Sequence, residues 1–292
     1  MVRRAVFTLL LTLGCGTVAA RPPEVTLAST LQKPAAPLSS PPRLEDGQLA
    51  RLLDEAVAER ERGDVLHASE TVLSIVCGGR KVLAEEQLRG CPTIRSPEVG
   101  TAWVLVGELA FAGVLAFGSP QPVDLDGVAP DQLAIAAMAY ERALRVTPSR
   151  MPRAVVLYKL GWAHYRLDRF DAALGSFLEA LEAARTHGAQ SPADELDVRD
   201  EALEYAAISI AETDWDGDGQ DDPVRGFDRP QIKARLEKET PDLPDLYVRV
   251  VSVLVDQAEC HDATAALAAA SARFPRHPKL PELMRSLSTI CP

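Results

Sequence analysis

The sequence predicts an all-α protein of stacked helical hairpins, and three observations carry that expectation. Aromatic residues make up only 5% of the 292 residues while alanine and leucine abound, a composition that suits close-packed helices better than a sheet of β-branched and aromatic residues. Apolar residues recur at three- and four-residue steps from about Glu45 to the C-terminus, the period of an amphipathic helix. Small residues fall where paired helices need close approach, as at Gly161 and Ala173. Hydrophobic residues reach 47%, enough for a sizeable core in one or two domains.

The chain opens with Arg3 and Arg4, an apolar run from Ala5 to Leu13 and then small residues, the three-part layout of a secretory signal. The run is too short for a bilayer, which needs about 20 residues. Two cleavage routes fit. "TLGC", ending at Cys15, is similar to a bacterial lipobox and sets the signal at residues 1–14, whereas Val18-Ala19-Ala20 suits ordinary signal peptidase and cleavage after residue 20. The lipobox is favoured, although Thr12 stands where leucine is preferred. Resemblance to bacterial lipoproteins implies that Cys15 becomes the acylated first residue, and Gly16 in place of an aspartate implies the outer membrane. Residues 15–43 then form a tether: Pro22, Pro23, Pro34, Pro37, Pro41 and Pro42 resist helix and favour an extended spacer.

Removing Arg3 and Arg4 with a leader that carries no acid takes the formal charge from −11 to −13. Such acidity opposes nucleic-acid binding and docking on anionic headgroups. Membrane attachment is therefore expected through a lipid chain, at about 0.8 kcal/mol per buried methylene.

Residues 44–292 carry the helices. Leu49, Leu52, Leu53, Ala56 and Val57 share one face; Gly63-Asp64 breaks the pattern, and Val65, Ala68, Val72 and Ile75 resume it until Cys77-Gly78-Gly79 ends the hairpin. His67 is expected on the helix surface. The most regular stretch is Ala154 to Leu181, "AVVLYKLGWAHYRLDRFDAALGSFLEAL". Leu157, Leu160, Gly161 and His164, then Ala173, Phe177 and Ala180, match positions 4, 7, 8 and 11, then 20, 24 and 27, of the 34-residue tetratricopeptide repeat. The stretch resembles that family, with the usual aromatic of position 11 displaced to Tyr165 and Asp168-Arg169 as the turn. Trp162 and Tyr165 flank its first helix and are expected to pack as core rather than to form a small-molecule pocket.

Trp103, Val106 and Gly107, with Ala136, Tyr140, Ala143 and Pro148, match the same scheme, but 29 residues separate Gly107 from Ala136 where about 12 are expected. An insertion at about 112–130 follows, in which "FAGVLAF" is expected to lengthen the first helix and "GSPQPVDLDGVAPD" to form a loop. A helix is expected over Glu195 to Ala211, opened by Ser191-Pro192. In the last repeat Tyr247, Val250, Val251 and Leu254 precede Ala263, Leu267, Ala270 and Pro275. Val251 replaces the small residue, so this hairpin is expected to splay; Leu280 to Ile290 supplies a capping helix.

A second insertion, about 213–229, holds "DWDGDGQDD". Calcium wants six to eight oxygens, with side chains at loop positions 1, 3, 5 and 9, a carbonyl at 7, a bidentate acid at 12 and glycine at 6. Asp214, Asp216, Asp218, Gly219, Gln220 and Asp222 match the first nine positions, but Arg225 occupies the twelfth, where Asp228 would have to fold back. A weak structural calcium clip and a solvated acidic loop both fit.

With Cys15 set aside, Cys77, Cys91, Cys260 and Cys291 allow three pairings. Local order favours Cys77 with Cys91 and Cys260 with Cys291; free buried thiols are the alternative. No C-x-x-C supports a metal, and no G-x-G-x-x-G, G-x-x-x-x-G-K, G-x-S-x-G or H-E-x-x-H appears. Cys260 and His261, adjacent on a helix, point about 100° apart and do not suggest a thiol enzyme. No enzymatic activity is expected.

Glu45 to Pro292 resembles envelope tetratricopeptide-repeat lipoproteins of proteobacteria, above all degenerate repeat proteins of myxobacteria; "LYKLGWAHYRLDRFDAAL" carries the likeness most specifically, and "DWDGDG" is similar to an insertion of the same group. The resemblance implies a protein-protein scaffold at the outer membrane, facing the periplasm, that binds other envelope proteins through a peptide or helix on its concave face. A secreted periplasmic location is the alternative. The alternative function is a calcium-dependent adhesion or ligand-binding module centred on residues 214–222.

Overall fold

A computed structural model describes residues 46–118, 128–146, 148, 150–187, 198–238 and 240–291. The expected signal, Cys15, the tether, the middle of the first insertion and the start of the Glu195–Ala211 helix lie outside the described residues. Twelve α-helices and no strand occur among the described residues: α1 (Asp46–Glu61), α2 (Val65–Val76), α3 (Glu85–Arg89), α4 (Pro97–Phe111), α5 (Pro130–Leu144), α6 (Arg153–Tyr165), α7 (Phe170–His187), α8 (Arg199–Ala211), α9 (Pro230–Leu236), α10 (Leu243–Asp256), α11 (Cys260–Arg273) and α12 (Leu280–Ile290). Several prolines start helices instead of breaking them. Pro97, Pro130, Pro230, Pro244 and Pro281 sit in first turns, where a missing N–H has no intrahelical partner to lose.

The helices pack in chain order. α1 pairs with α2, α4 with α5, α6 with α7 and α10 with α11, and α2–α4, α5–α6, α7–α8 and α8–α10 join successive pairs. α12 rests on α10 and α11, with the bounds expected of the cap. The core divides at α6. Val156, Leu160 and Ala163 face the cluster built by α1 to α5, and Ala154, Val155 and Leu157 face the one built by α7 to α12.

One turn closes the first helix of each pair. The amides of Asp64, Val114, Arg169 and Glu259 donate to the carbonyls five residues back, Glu59, Leu109, His164 and Leu254, at 2.9, 2.9, 3.0 and 2.9 Å. The residue before each donor has a left-handed backbone: Gly63, Gly113, Asp168 and Ala258, with φ of 80°, 74°, 56° and 60°. This is the doubly bonded helix end that reverses the chain within a few residues. After Gly63, Asp168 and Ala258 the second helix starts at once; after Gly113 the insertion begins. α4 therefore ends at Phe111 and is not lengthened by "FAGVLAF". Leu115 and Ala116 instead tuck into the core, where the Ala116 amide donates to the Ser69 hydroxyl at 3.1 Å.

The pairs depend on small residues set against rings. A Cβ on Gly161 would lie 2.5 Å from the Phe177 ring, and one on Gly107 2.5 Å from the Tyr140 ring. Both rings are fully buried and cannot swing aside. In the α10–α11 pair Val251 takes the glycine's place and Leu267 the ring's, so bulk has moved from one helix to the other. Both lie in the same core and the two helices pack together.

The structure pairs Cys77 with Cys91, Cα atoms 4.8 Å apart, and Cys260 with Cys291 at 5.4 Å. The first bridge ties the end of α2 to the turn after α3. The second pins the end of α12 to the start of α11. Arg142 of α5 also holds the α3 segment, stacking 4.8 Å over Trp103 and donating to the Arg89 carbonyl at 2.7 Å.

Exchanging glycine and alanine at two sites should have opposite effects, each against the usual trend. Gly161→Ala gains about 1 kcal/mol of helix propensity but overpacks Phe177 at about 1–3 kcal/mol, and is expected to destabilise. Ala258→Gly removes a left-handed strain of roughly 1–2 kcal/mol and is expected to stabilise by about 0.5–1 kcal/mol. Urea midpoints of the two variants against wild type check both signs.

Candidate functional site: an aromatic face and an acidic loop

The sequence of α6 gives one side to the core and leaves Tyr158, Trp162 and Tyr165 half-buried on another. Tyr205 of α8 meets them. Its ring centroid lies 4.1 Å from Trp162 and 6.5 Å from Tyr158, while Trp162 and Tyr165 are 5.9 Å apart and edge-on. The series continues through Phe170, 5.4 Å from Tyr165, to Trp215, 6.3 Å further on. Aromatics expected to be plain core thus form a half-exposed seam between two helices that ends at the acidic loop.

Polar groups on this side bridge the first helices of successive pairs. Glu108 of α4 pairs with Lys159 of α6 at 2.7 Å and with Arg60 of α1 at 3.8 Å. Glu204 of α8 pairs with Arg249 of α10 at 2.9 Å. The Tyr165 hydroxyl donates to Glu212, just past α8; its burial, with the carboxylate beside it, pushes the phenol well above its ordinary pKa. A cavity of about 310 Å³ opens between α4, α5 and α6, bordered by Phe111, Tyr158, Trp162, Lys159 and Arg166. Arg166 lies 5.0 Å over the Phe111 ring.

The acidic loop brings its first three expected ligands together. Oxygens of Asp214, Asp216 and Asp218 lie within 4.8 Å of one another. Asp214 accepts from the amides of Gly217 and Gly219, each at 2.8 Å, Asp216 from Asp218 at 3.1 Å and Asp218 from Gln220 at 2.8 Å. Gly219, at the bend position, has φ 80°. The rest of the pattern is diverted. Asp222 accepts from the Trp215 amide at 2.8 Å and faces Arg229 at 3.4 Å. Arg225 pairs with Asp221 at 2.6 Å and with Asp262 of α11 at 3.2 Å, and Asp228 does not fold back but pairs with Lys233 at 3.1 Å in the open. A second cavity, of about 640 Å³, separates loop residues Asp221 to Asp228 from α11.

Arg229 organises the base of this loop, and the sequence reading missed it. It is 3% exposed, donates to the carbonyls of Glu212 and Thr213 at 2.8 and 3.1 Å and reaches that of Ile210 at 3.4 Å. Its guanidinium also lies 4.6 Å over Trp215. Burial pulls its pKa down while Asp222 holds it up. No residue pattern pointed to it, because its main partners are backbone carbonyls.

The remaining expected residues fall as follows. Leu157, Leu160, Gly161, Ala173, Phe177 and Ala180 are packing residues of the α6–α7 pair. His67 is exposed at the start of α2, its ring 2.7 Å from Asp64, which raises its pKa. His164 is 8% exposed, its Nδ1 has no hydrogen-bond partner among the described residues, and burial lowers its pKa to about 4. Compared with known proteins, the chain matches no protein-family model and no curated sequence.

Three variants probe these buried groups. Arg229→Ala leaves two or three carbonyls and Asp222 without a donor and is expected to cost about 3 kcal/mol. Arg229→Lys should recover less than half of that, since an ammonium neither forks nor stacks as guanidinium does; urea unfolding decides. His164 binds a proton near pH 4 when folded and near 6.5 when unfolded. Its stabilising contribution is whole above 6.5 and is lost as pH falls toward 4, about 2 kcal/mol of it between pH 7 and pH 5. His164→Leu, the residue that α10 carries at the same turn as Leu254, should remove that part of the pH dependence.

Proposed function

We propose that this chain is a tetratricopeptide-repeat scaffold of the bacterial envelope, carried on a lipidated Cys15 at the outer membrane, that binds a segment of another envelope protein on its concave face. On this reading the first helices α1, α4, α6 and α10, with α8 between the last two, would line that face. One observation carries the reading: Tyr158, Trp162, Tyr165 and Tyr205 pack ring against ring, tilted or edge-on and half-exposed, beside a cavity on the side where first helices meet. Rings left in this state expose apolar surface that a partner can cover. Short stacked pairs also present an extended groove suited to a peptide or helix.

A second reading has the support of the three converging carboxylates. Asp214, Asp216 and Asp218 would hold calcium, with the Gln220 carbonyl at the seventh position. The fit is partial, because Asp222 is engaged by Arg229 and Trp215 and Arg225 brings a cation to the twelfth place. Such a site would be weak, about 10⁻⁴–10⁻³ M. Its role would be a clip on a loop that Arg229 already closes.

Co-purification of the lipidated protein from its native envelope tests both. A defined protein partner is expected, lost with Trp162→Ala and retained with Asp216→Asn plus Asp218→Asn, which should only abolish a calcium-dependent rise in melting temperature. Loss of the partner in the acidic-loop variant alone would move the function to a calcium-dependent adhesion module. Recovery of lipid-anchoring factors only would remove the scaffold.

A further inference from the structure

The corner of the aromatic face around the α4–α6 cavity has a charge balance opposite to that of the chain. The whole sequence carries −11, yet here Arg60, Lys159 and Arg166 outnumber two carboxylates, Glu108 and, hydrogen-bonded to Tyr158, Glu201. Glu108 takes both Lys159 and Arg60. Arg166 is exposed, and among the described residues no carboxylate lies within ion-pair distance of it. Its guanidinium is held over the Phe111 ring. A guanidinium presents a planar fork of N–H donors, which takes a carboxylate through two parallel hydrogen bonds.

The spacing of the two features sets the form of the ligand. Trp162 on α6 and Arg166, the helical C-cap residue of α6, are four residues apart, about 5–6 Å between Cβ atoms. An extended chain places residues i and i+2 on one face, about 7 Å apart. A chain lying along α6 with an apolar side chain against Phe111, Tyr158 and Trp162 therefore brings its second neighbour to Arg166.

Resting on the scaffold reading above, we infer that this cavity recognises an extended segment of a partner protein in which an aromatic or large aliphatic residue stands two positions from an aspartate or glutamate. The apolar residue fills the cavity and covers the rings. The acid completes the charge of Arg166. A basic segment meets the unpaired cation of Arg166 and is rejected. A neutral proline-rich segment could cover the rings but leaves Arg166 unused.

Selection of a random peptide library displayed on phage, against the immobilised full chain, tests the assignment. Enriched peptides are expected to carry the apolar–acid pair, and a synthetic copy should bind Arg166→Gln about tenfold more weakly. Its Asp→Asn version should bind wild type and Arg166→Gln alike. Arg166 is exposed, so unchanged melting of the variant verifies its fold. Enrichment of basic or proline-rich peptides, or indifference to Arg166→Gln, overturns the chemistry; if those peptides still fail on Trp162→Ala, the scaffold reading survives it. No enrichment over blank support overturns both.

Discussion

The closest approach between helices governs this molecule. At Gly161 the α6 backbone comes so near Phe177 that no side chain fits between them, and at Gly107 the same relation holds with Tyr140. A ring lying on a glycine fixes how two helices cross and how far apart they sit, because a packed core cannot absorb even one methyl without displacement. The turn then has little choice. It must reverse the chain within a few residues, and four first helices end in the same hydrogen bond with a left-handed residue ahead of the donor. Asp168 and Ala258 accept the strain that glycine avoids at residues 63 and 113.

One departure from this unit follows α8. α8 is followed by no second helix of comparable length; the chain runs through the acidic loop and returns as the seven-residue α9, which lies against α7. A loop there must satisfy the carbonyls at the end of α8 without a helix to lean on. Arg229 does so from inside, and Trp215 beneath it joins the loop to the aromatic seam. The loop is thus fixed at its base by a protein cation, and its three clustered carboxylates are served by amides of the loop itself.

The sequence showed what periodicity encodes. The apolar stripes, the glycine–ring registers, the cap over Leu280 to Ile290 and the local cysteine pairs were visible because each lies within one short stretch of chain. Arg229 was not, since its partners are backbone carbonyls that leave no residue pattern. The links from Glu108 to Lys159 and from Glu204 to Arg249 were equally hidden, because they join helices of different pairs. Trp162 and Tyr165 looked like core for a related reason: helical spacing gives their direction, but it does not show that Tyr205 of α8 meets them or how much of each ring remains in water. The end of α4 at Phe111 was misjudged because "FAGVLAF" is apolar enough for a helix, while the left-handed Gly113 within it stops one.

The paired charges beside the aromatic seam bear on what kind of recognition this side can perform. Glu108 is already engaged by two cations and Glu204 by one, so most of the charge there is spent in holding first helices together. Exposed pairs of this sort add little stability singly, but they remove competing polar demand from the surface between them. What stays open is ring area and the exposed Arg166. A partner would gain from covering rings that are ordered against one another in advance, and ordering them beforehand lowers the entropy lost on association. Binding on such a face is governed by how slowly the covered partner leaves more than by long-range attraction, which suits an acidic chain whose field over most of its surface does nothing to draw an acidic segment in.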